Sequence, residues 1–430
     1  MPTSDSRPFR WIPTLYLAEG LPNAVVTGMV AVALLDFGFS AAETAVYTSV
    51  LSLPWAFKPF WAPAVQKYGT RRNWILAMQL AMAVVLGLLA FSLPVRSWFT
   101  VTLGLLAVLS FASATHDIAA DGFYLEALDE HRQAEWSGWR NTFYRLAVLA
   151  GSGGLVWLAG RWEKAQGAAA GWTLAFALAA AAMGLFAVYD YFAVPRLVEE
   201  QSASAADAPR PGFARVWETF VEKPGFGRMM AFILLYRIAE GQIQSANKAF
   251  FLAKLDAGGL ALDTDEVGQL YGTLGIIALM AGGILGGLAI ARTGLRRQIW
   301  PMAAAMNLPN LLYVWLAWAQ PHSRALIGSA IFVEQFGYGF GFAAFMVYLL
   351  YVSRGPMATA HYAICSALMA VGMALAGMIA AEALHLTAHF PGGGYLQFFS
   401  WVMVCALVSF GVLWKLPLEG DFGQKLKSKN

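Results

Sequence analysis

Apolar runs of roughly twenty residues recur along the whole chain, each long enough to cross a bilayer as a helix. With the polar punctuation between them they predict twelve spans, at about 11–36, 41–66, 73–94, 98–122, 136–160, 171–194, 226–252, 266–291, 298–319, 324–351, 358–384 and 394–416. Spans six and seven are separated by residues 195–225, whose stretch VEEQSASAADAPRPG is polar, rich in small residues and broken by proline. Such a composition predicts a flexible linker. The pattern therefore predicts an all-α polytopic membrane protein, with an N-terminal six-helix bundle (1–194), a linker (195–225) and a C-terminal six-helix bundle with a short tail (226–430).

The polar positions inside the spans carry the functional signal. Glu19 and Glu240 each sit in the tripeptide Ala-Glu-Gly, 221 residues apart, within LYLAEGLPNAVVTG and LLYRIAEGQIQSANKAFF. An ionised carboxylate in hydrocarbon is costly, so a pair at matching places suggests a duplicated device that handles charge. At the same offset, Tyr16, Glu19, Asn23 and Thr27 match Arg237, Glu240, Gln244 and Lys248, both sets spaced i, i+3, i+7, i+11. That spacing puts each set on one helical face. Such a stripe serves either as interhelical hydrogen-bonding glue or as the lining of an aqueous cavity; four charged or amide groups on one span favour the cavity. At least one of Glu19 and Glu240 is then expected to carry the coupling proton, with Asp117 and Asp121 of span four as further proton-coupling candidates. Of the two glutamates, Glu19 is favoured, because Arg237 lies one turn from Glu240 and holds it ionised.

Span four contains SATHDIAADGFYLEAL, in which Asp117 and Asp121 share a face. These carboxylates are expected to pair with Arg140 or Arg145 of span five, and such a pair can break during a conformational change. A metal site using His116 with the two aspartates has too few ligands, so no metal and no cofactor is expected. The Asp-x-x-x-Asp-Gly string lacks the spacing and downstream residues of membrane phosphatidyl transferases, and no nucleophile constellation replaces it; the chain does not read as an enzyme. Lys58 in span two is expected either to snorkel to the inner interface or to act in gating. Glu334 and Tyr338 in span ten are further substrate-binding candidates. His361 and Glu382 in span eleven are weaker ones. The glycines of span eight (Gly272, Gly275, Gly282, Gly283, Gly286 and Gly287) read as close helix packing.

Composition agrees with a membrane protein. The 430 residues are 58% hydrophobic and 13% charged, about half the charge of a soluble chain. The net charge of +3 is an effect of loops and not a nucleic-acid signal, so no nucleic-acid partner is expected, and Cys365 and Cys405 lie in apolar runs and imply no disulfide framework. The first apolar run is too long for a signal-peptide core and reads as a retained span. With the N-terminus inside, nineteen Lys and Arg fall in cytoplasmic segments and five outside (Arg96, Arg161, Lys164, Lys254 and Arg324). That asymmetry predicts both termini in the cytoplasm.

The turn APAVQKYGTRRNW after span two matches GLAIARTGLRRQIW after span eight. Gly69, Arg71 and Arg72 align with Gly294, Arg296 and Arg297 at an offset of 225, as gating candidates or as inner-face anchors. Twelve spans, a central linker and these paired turns resemble the major facilitator superfamily, and imply its two pseudo-symmetric bundles. Gln66 stands where that family's turn has Asp, and Lys67 where it has the first Arg. More narrowly, LPWAFKPFWAPAVQKYGTRR, HDIAADGFYLEAL and NTFYRLAVLAGSGGLVWLAG resemble the AmpG-type muropeptide permeases, with His116 at that family's usual Gln. The matched polar residues are Lys58, Asp117, Asp121, Tyr144 and Arg145. The resemblance implies a monomeric proton-coupled importer in a bacterial inner membrane, working by alternating access. Its substrate would be a muropeptide (GlcNAc–anhydro-MurNAc peptide) or a related amino-sugar glycan. Arg237 and Lys248 would meet anionic groups of that substrate, and Trp and Tyr rings would stack on its sugar faces. The alternatives are an importer of siderophores or other peptide-like solutes, and a ligand sensor without turnover.

Overall fold

The computed structural model describes residues 7–93, 98–197, 212–390, 394–418 and 422–424. Residues 198–211 of the predicted linker and the basic residues Arg96, Arg210, Lys425, Lys427 and Lys429 lie outside them. Among the described residues, eight helices are long and apolar enough to cross a membrane: Ile12–Asp36, Arg71–Ser92, Trp98–Ala127, Glu130–Gln166, Ala168–Ala193, Thr264–Thr293, Arg324–Ser353 and Ala358–Thr387. These are spans one, three to six, eight, ten and eleven.

The other four predicted spans are helical too, but three are interrupted and one is short. Span two is Ala41–Phe57 followed by a 3-10 turn, Lys58–Phe60, and then Ala62–Lys67. Pro59 in that turn and Pro63 just beyond it have no N–H to offer the helix ladder. Span seven breaks at Tyr236 and Arg237, between Phe226–Leu235 and Ile238–Leu252. Span nine breaks at Leu308–Asn310, where Pro309 sits, and span twelve is Tyr395–Gly411. Apolarity alone marked the segments; proline and polar residues set where they break.

The chain forms two compact units. The first comprises 1–129, 140–218 and 353–367, and the second 130–139, 219–352 and 368–430. In the first unit a core of Val25, Met29, Met82, Leu86, Leu109, Phe176 and Met183 is buried between spans one, three, four and six. In the second, Ile243, Phe250, Phe251, Tyr313, Ile331, Phe398 and Phe399 fill the equivalent role.

The repeated Ala-Glu-Gly has a packing reason in each unit. A Cβ at Gly20 would stand 2.5 Å from the Tyr144 carbonyl oxygen and 2.9 Å from Ala147 Cβ, on span five. A Cβ at Gly241 would stand 2.6 Å from Ala376 Cβ, on span eleven. Spans five and eleven hold corresponding places in a six-plus-six repeat, so each glycine lets its Glu-bearing span cross a corresponding partner closely. Of the span-eight glycines, Gly272 has open space around it, whereas others pack closely as their spacing suggested. Gly282 and Gly286 lie against the backbone of Phe336 and Phe340 in span ten.

Two departures concern backbone geometry. Val25–Met29 is π-helical, so span one does not keep a uniform 3.6-residue period through Thr27. Thr27 is exposed and its hydroxyl donates to the Asn23 carbonyl at 2.8 Å. Within the predicted linker, Phe213–Val221 is a helix with Val216 and Phe220 buried, rather than flexible chain.

Candidate functional site

The first unit gathers a dense group of charged side chains in its interior. Lys58, at the proline-bound break of span two, is 4% exposed, and its Nζ meets Asp117 Oδ2 at 2.5 Å. The lysine therefore does not snorkel, and Asp117 pairs with span two rather than with span five as expected. Asp121, one turn further along span four, takes Arg140 Nη2 on Oδ1 at 2.7 Å. Of the two arginines expected to serve that role it is Arg140 that does so, while Arg145 lies half-buried further along span five. The Arg140 guanidinium also donates to the Tyr362 hydroxyl at 2.9 Å and lies 4.9 Å from the ring centres of both Tyr16 and Tyr124. Three tyrosine rings and one carboxylate thus fix a buried cation, an arrangement suited to guanidinium.

Glu19 completes the group. Carboxylate oxygens of Glu19, Asp117 and Asp121 all lie within 4.8 Å of one another, and Glu19 Oε2 is buried without a hydrogen-bond partner. Like charges this close are mutually unfavourable, and Lys58 and Arg140 supply two counter-charges for three acids. His116 is not part of the group: its Nε2 lies 3.3 Å from Gln79 Nε2. Tyr144 is half-buried and contributes its carbonyl to the contact with Gly20. Trp61 Nε1 donates to Thr115 Oγ1 at 3.2 Å, tying span two to span four beside the Lys58 pair.

In the second unit the stripe is divided by the break in span seven. Arg237 precedes the helix Ile238–Leu252, and Glu240 occupies that helix's first turn, where the N-terminal dipole favours an acid. Arg237 Nη2 donates to the Tyr338 hydroxyl at 2.7 Å, and its guanidinium lies 4.6 Å from the Phe342 ring centre. Glu240 accepts Gln244 Nε2 at 3.0 Å. Glu334 is fully buried, and its Oε2 accepts from Tyr313 and Gln335 at 3.2 and 2.9 Å. Lys248 is exposed.

Each basic turn carries a glycine at positive φ, but the side-chain roles differ. Gly69 and Gly294 have φ of +67° and +86°, the region where glycine is favoured. Arg71 pairs with Glu126 at 2.7 Å, and Arg72 donates to the carbonyls of Val194 and Tyr191. Arg296 and Arg297 are exposed. Gln66 holds the start of span eleven, accepting from Ala360 N at 3.2 Å and donating to the Pro356 carbonyl at 2.7 Å. An amide at that position supplies both a donor and an acceptor, which an aspartate would not. His361 lies with Nε2 3.2 Å from the Val216 carbonyl, and Glu382 is exposed.

Sequence reasoning missed Tyr124, Tyr362, Trp61 and Tyr313. Each is an aromatic in an apolar run, where nothing local separates a polar partner from core. A model of the Major Facilitator Superfamily matches residues 14–381. The chain belongs to the major facilitator superfamily. It is a transporter and not an enzyme. It is 27% identical over 381 residues to the anhydromuropeptide permease of Escherichia coli K12, covering 85% of this chain and 72% of that one. It is 22% identical over 368 residues to the putative transporter AmpG 4 of Rickettsia conorii, covering 82% and 84%. Among solved structures it is similar to the Escherichia coli fucose:proton symporter FucP, with a TM-score of 0.71 at 15% identity over 96% of this chain and 99% of that one. The proton:xylose symporter XylE gives a TM-score of 0.65 at 14% identity over 97% of each.

Proposed function

We propose that this superfamily member imports a muropeptide, or a related amino-sugar glycan, by alternating access coupled to protons across a bacterial inner membrane. The observation that carries the proton coupling is the charge balance around Glu19. The charged groups acting on it are Asp117, Asp121, Arg140 and Lys58, so three carboxylates face two cations. One added proton makes the group neutral, and Glu19 is the acid without a cation of its own. Taking up that proton removes the repulsion on Asp117 and Asp121 and tightens their pairs with Lys58 and Arg140. Releasing it loosens them. This is differential stabilisation of two states by one proton, which coupling requires.

The substrate reading rests on the relatives. One relative, similar over 381 residues, is named anhydromuropeptide permease, and the strings that resemble AmpG-type permeases include Lys58, Asp117, Asp121, Tyr144 and Arg145. Arg237, Gln244, Lys248, Glu334 and Tyr338 of the second unit, with Tyr16, Asn23 and Thr27 of the first, read as substrate contacts. Glu240 reads as a second coupling acid. Arg71, Arg72, Arg296 and Arg297 read as gating residues, and both termini as cytoplasmic. Uptake of labelled muropeptide into proteoliposomes, with and without an imposed pH gradient, tests the proposal. Gradient-driven accumulation competed by unlabelled muropeptide supports it; accumulation of a ferric siderophore instead would reassign the substrate. Binding without any accumulation would make the chain a sensor.

A further inference from the structure

The first unit buries a second ionisable side chain that the Glu19 group does not use. Asp190, near the end of span six, is 0% exposed. Its Oδ1 lies 2.5 Å from Thr14 Oγ1, and its Oδ2 accepts from Gln79 Nε2 at 2.7 Å. Gln79 Nε2 also lies 3.3 Å from His116 Nε2. Spans one, three, four and six each contribute one side chain, and Gln79 and His116 are as fully buried as Asp190. His116 Nδ1 and Gln79 Oε1 have no hydrogen-bond partner.

The charged groups on the surrounding spans are committed elsewhere. Arg72 of span three donates to the Val194 and Tyr191 carbonyls and lies over the Tyr191 ring. Asp117 of span four is paired with Lys58. Span one presents the neutral Thr14 to Asp190, while its acid Glu19 lies in the other group with Asp117 and with Asp121, which Arg140 holds. Asp190 is therefore a fully buried carboxyl whose two side-chain partners are both neutral donors. An ionised carboxylate placed so, with no counter-charge, is strongly disfavoured in a membrane bundle.

Both hydrogen bonds at the Asp190 carboxyl persist when a proton is added to it. With hydrogen on Asp190 Oδ1, that oxygen donates to Thr14 Oγ1, and the threonine hydroxyl turns its own hydrogen toward the Trp11 carbonyl, 3.4 Å away. The two amide hydrogens of Gln79 then serve Asp190 Oδ2 and His116 Nε2, which leaves His116 neutral with hydrogen on Nδ1. We propose that Asp190, bridged through Gln79 to His116, is a second proton-binding site of this transporter, separate from the Glu19 group. His116 is the residue before Asp117, so this site adjoins the Lys58–Asp117 pair along span four.

A purely structural polar clamp needs no exchangeable proton, and infrared spectroscopy of the full-length protein in detergent without substrate separates the two. The wild type is expected to show a protonated-carboxyl C=O band that shifts in D2O and loses amplitude as pH rises. The band is expected to vanish in Asp190→Asn and to persist in Glu19→Gln. An Asp190→Asn spectrum identical to the wild type overturns the proposal. Thr14→Val guards against misfolding of that variant: it keeps the carboxyl but removes its hydroxyl partner, so the same band moves in frequency, and an unmoved band also overturns the proposal. No substrate is present, so the outcome is independent of the transport reading.

Discussion

Lys58 and Asp117 are two charges that the bundle accepts only together. Their side chains are 5% and 11% exposed, so removing one partner leaves the other buried and uncompensated. Lys58→Met is expected to destabilise the protein by about 3–5 kcal/mol, as is Asp117→Leu, whereas the double variant recovers most of the loss. Thermal unfolding in detergent across this double-mutant cycle checks it; equal and additive losses would mean that the pair does not interact. The sequence made one of the two pairs visible. Asp121 and Arg140 lie on adjacent spans, so their pairing followed from order along the chain. Lys58 lies near a helix end and 59 residues from Asp117, and only the turn at Lys58–Phe60 aims it inward. A helical period says which face a residue occupies, not which neighbour it meets.

At the scale of elements, close crossings decide what each span tolerates. Gly20→Val drives a side chain into the Tyr144 carbonyl, and an overpacked crossing costs about 1–3 kcal/mol. Gly87 and Gly104 have open space at the same test position, so valine there is expected to leave the melting temperature nearly unchanged. Detergent melting curves of Gly20→Val, Gly87→Val and Gly104→Val compare the two cases; equal tolerance would contradict the packing reading of Ala-Glu-Gly. Hydropathy located all twelve spans, since lipid imposes a long apolar run on each. It could not show the π-helical turn at Val25–Met29 or the break at Tyr236 and Arg237, neither of which contains a proline. The turn moves Thr27 off the face that a constant period assigns. The break places Arg237 ahead of the helix that carries Glu240.

At the scale of the whole molecule, the duplication read from two tripeptides is matched by packing, because Gly20 and Gly241 meet spans five and eleven respectively. The tail carried no such signal, yet Phe422 is 3% exposed in the second unit. Its carbonyl accepts from Leu295 N at 2.9 Å, its ring meets Tyr351 edge-on, and the Gly423 carbonyl lies 3.0 Å from His131 Nδ1. Phe422→Ala is expected to cost about 3 kcal/mol, read as a lowered melting temperature. An unchanged melting curve would show that the tail contributes nothing to the fold. The proposed role of Glu19 as carrier of the coupling proton is open to a single comparison. In proteoliposomes, Glu19→Gln is expected to lose pH-gradient-driven accumulation of labelled muropeptide while keeping gradient-free counterflow. Gradient-driven accumulation at the wild-type level in Glu19→Gln would rule out that role for Glu19.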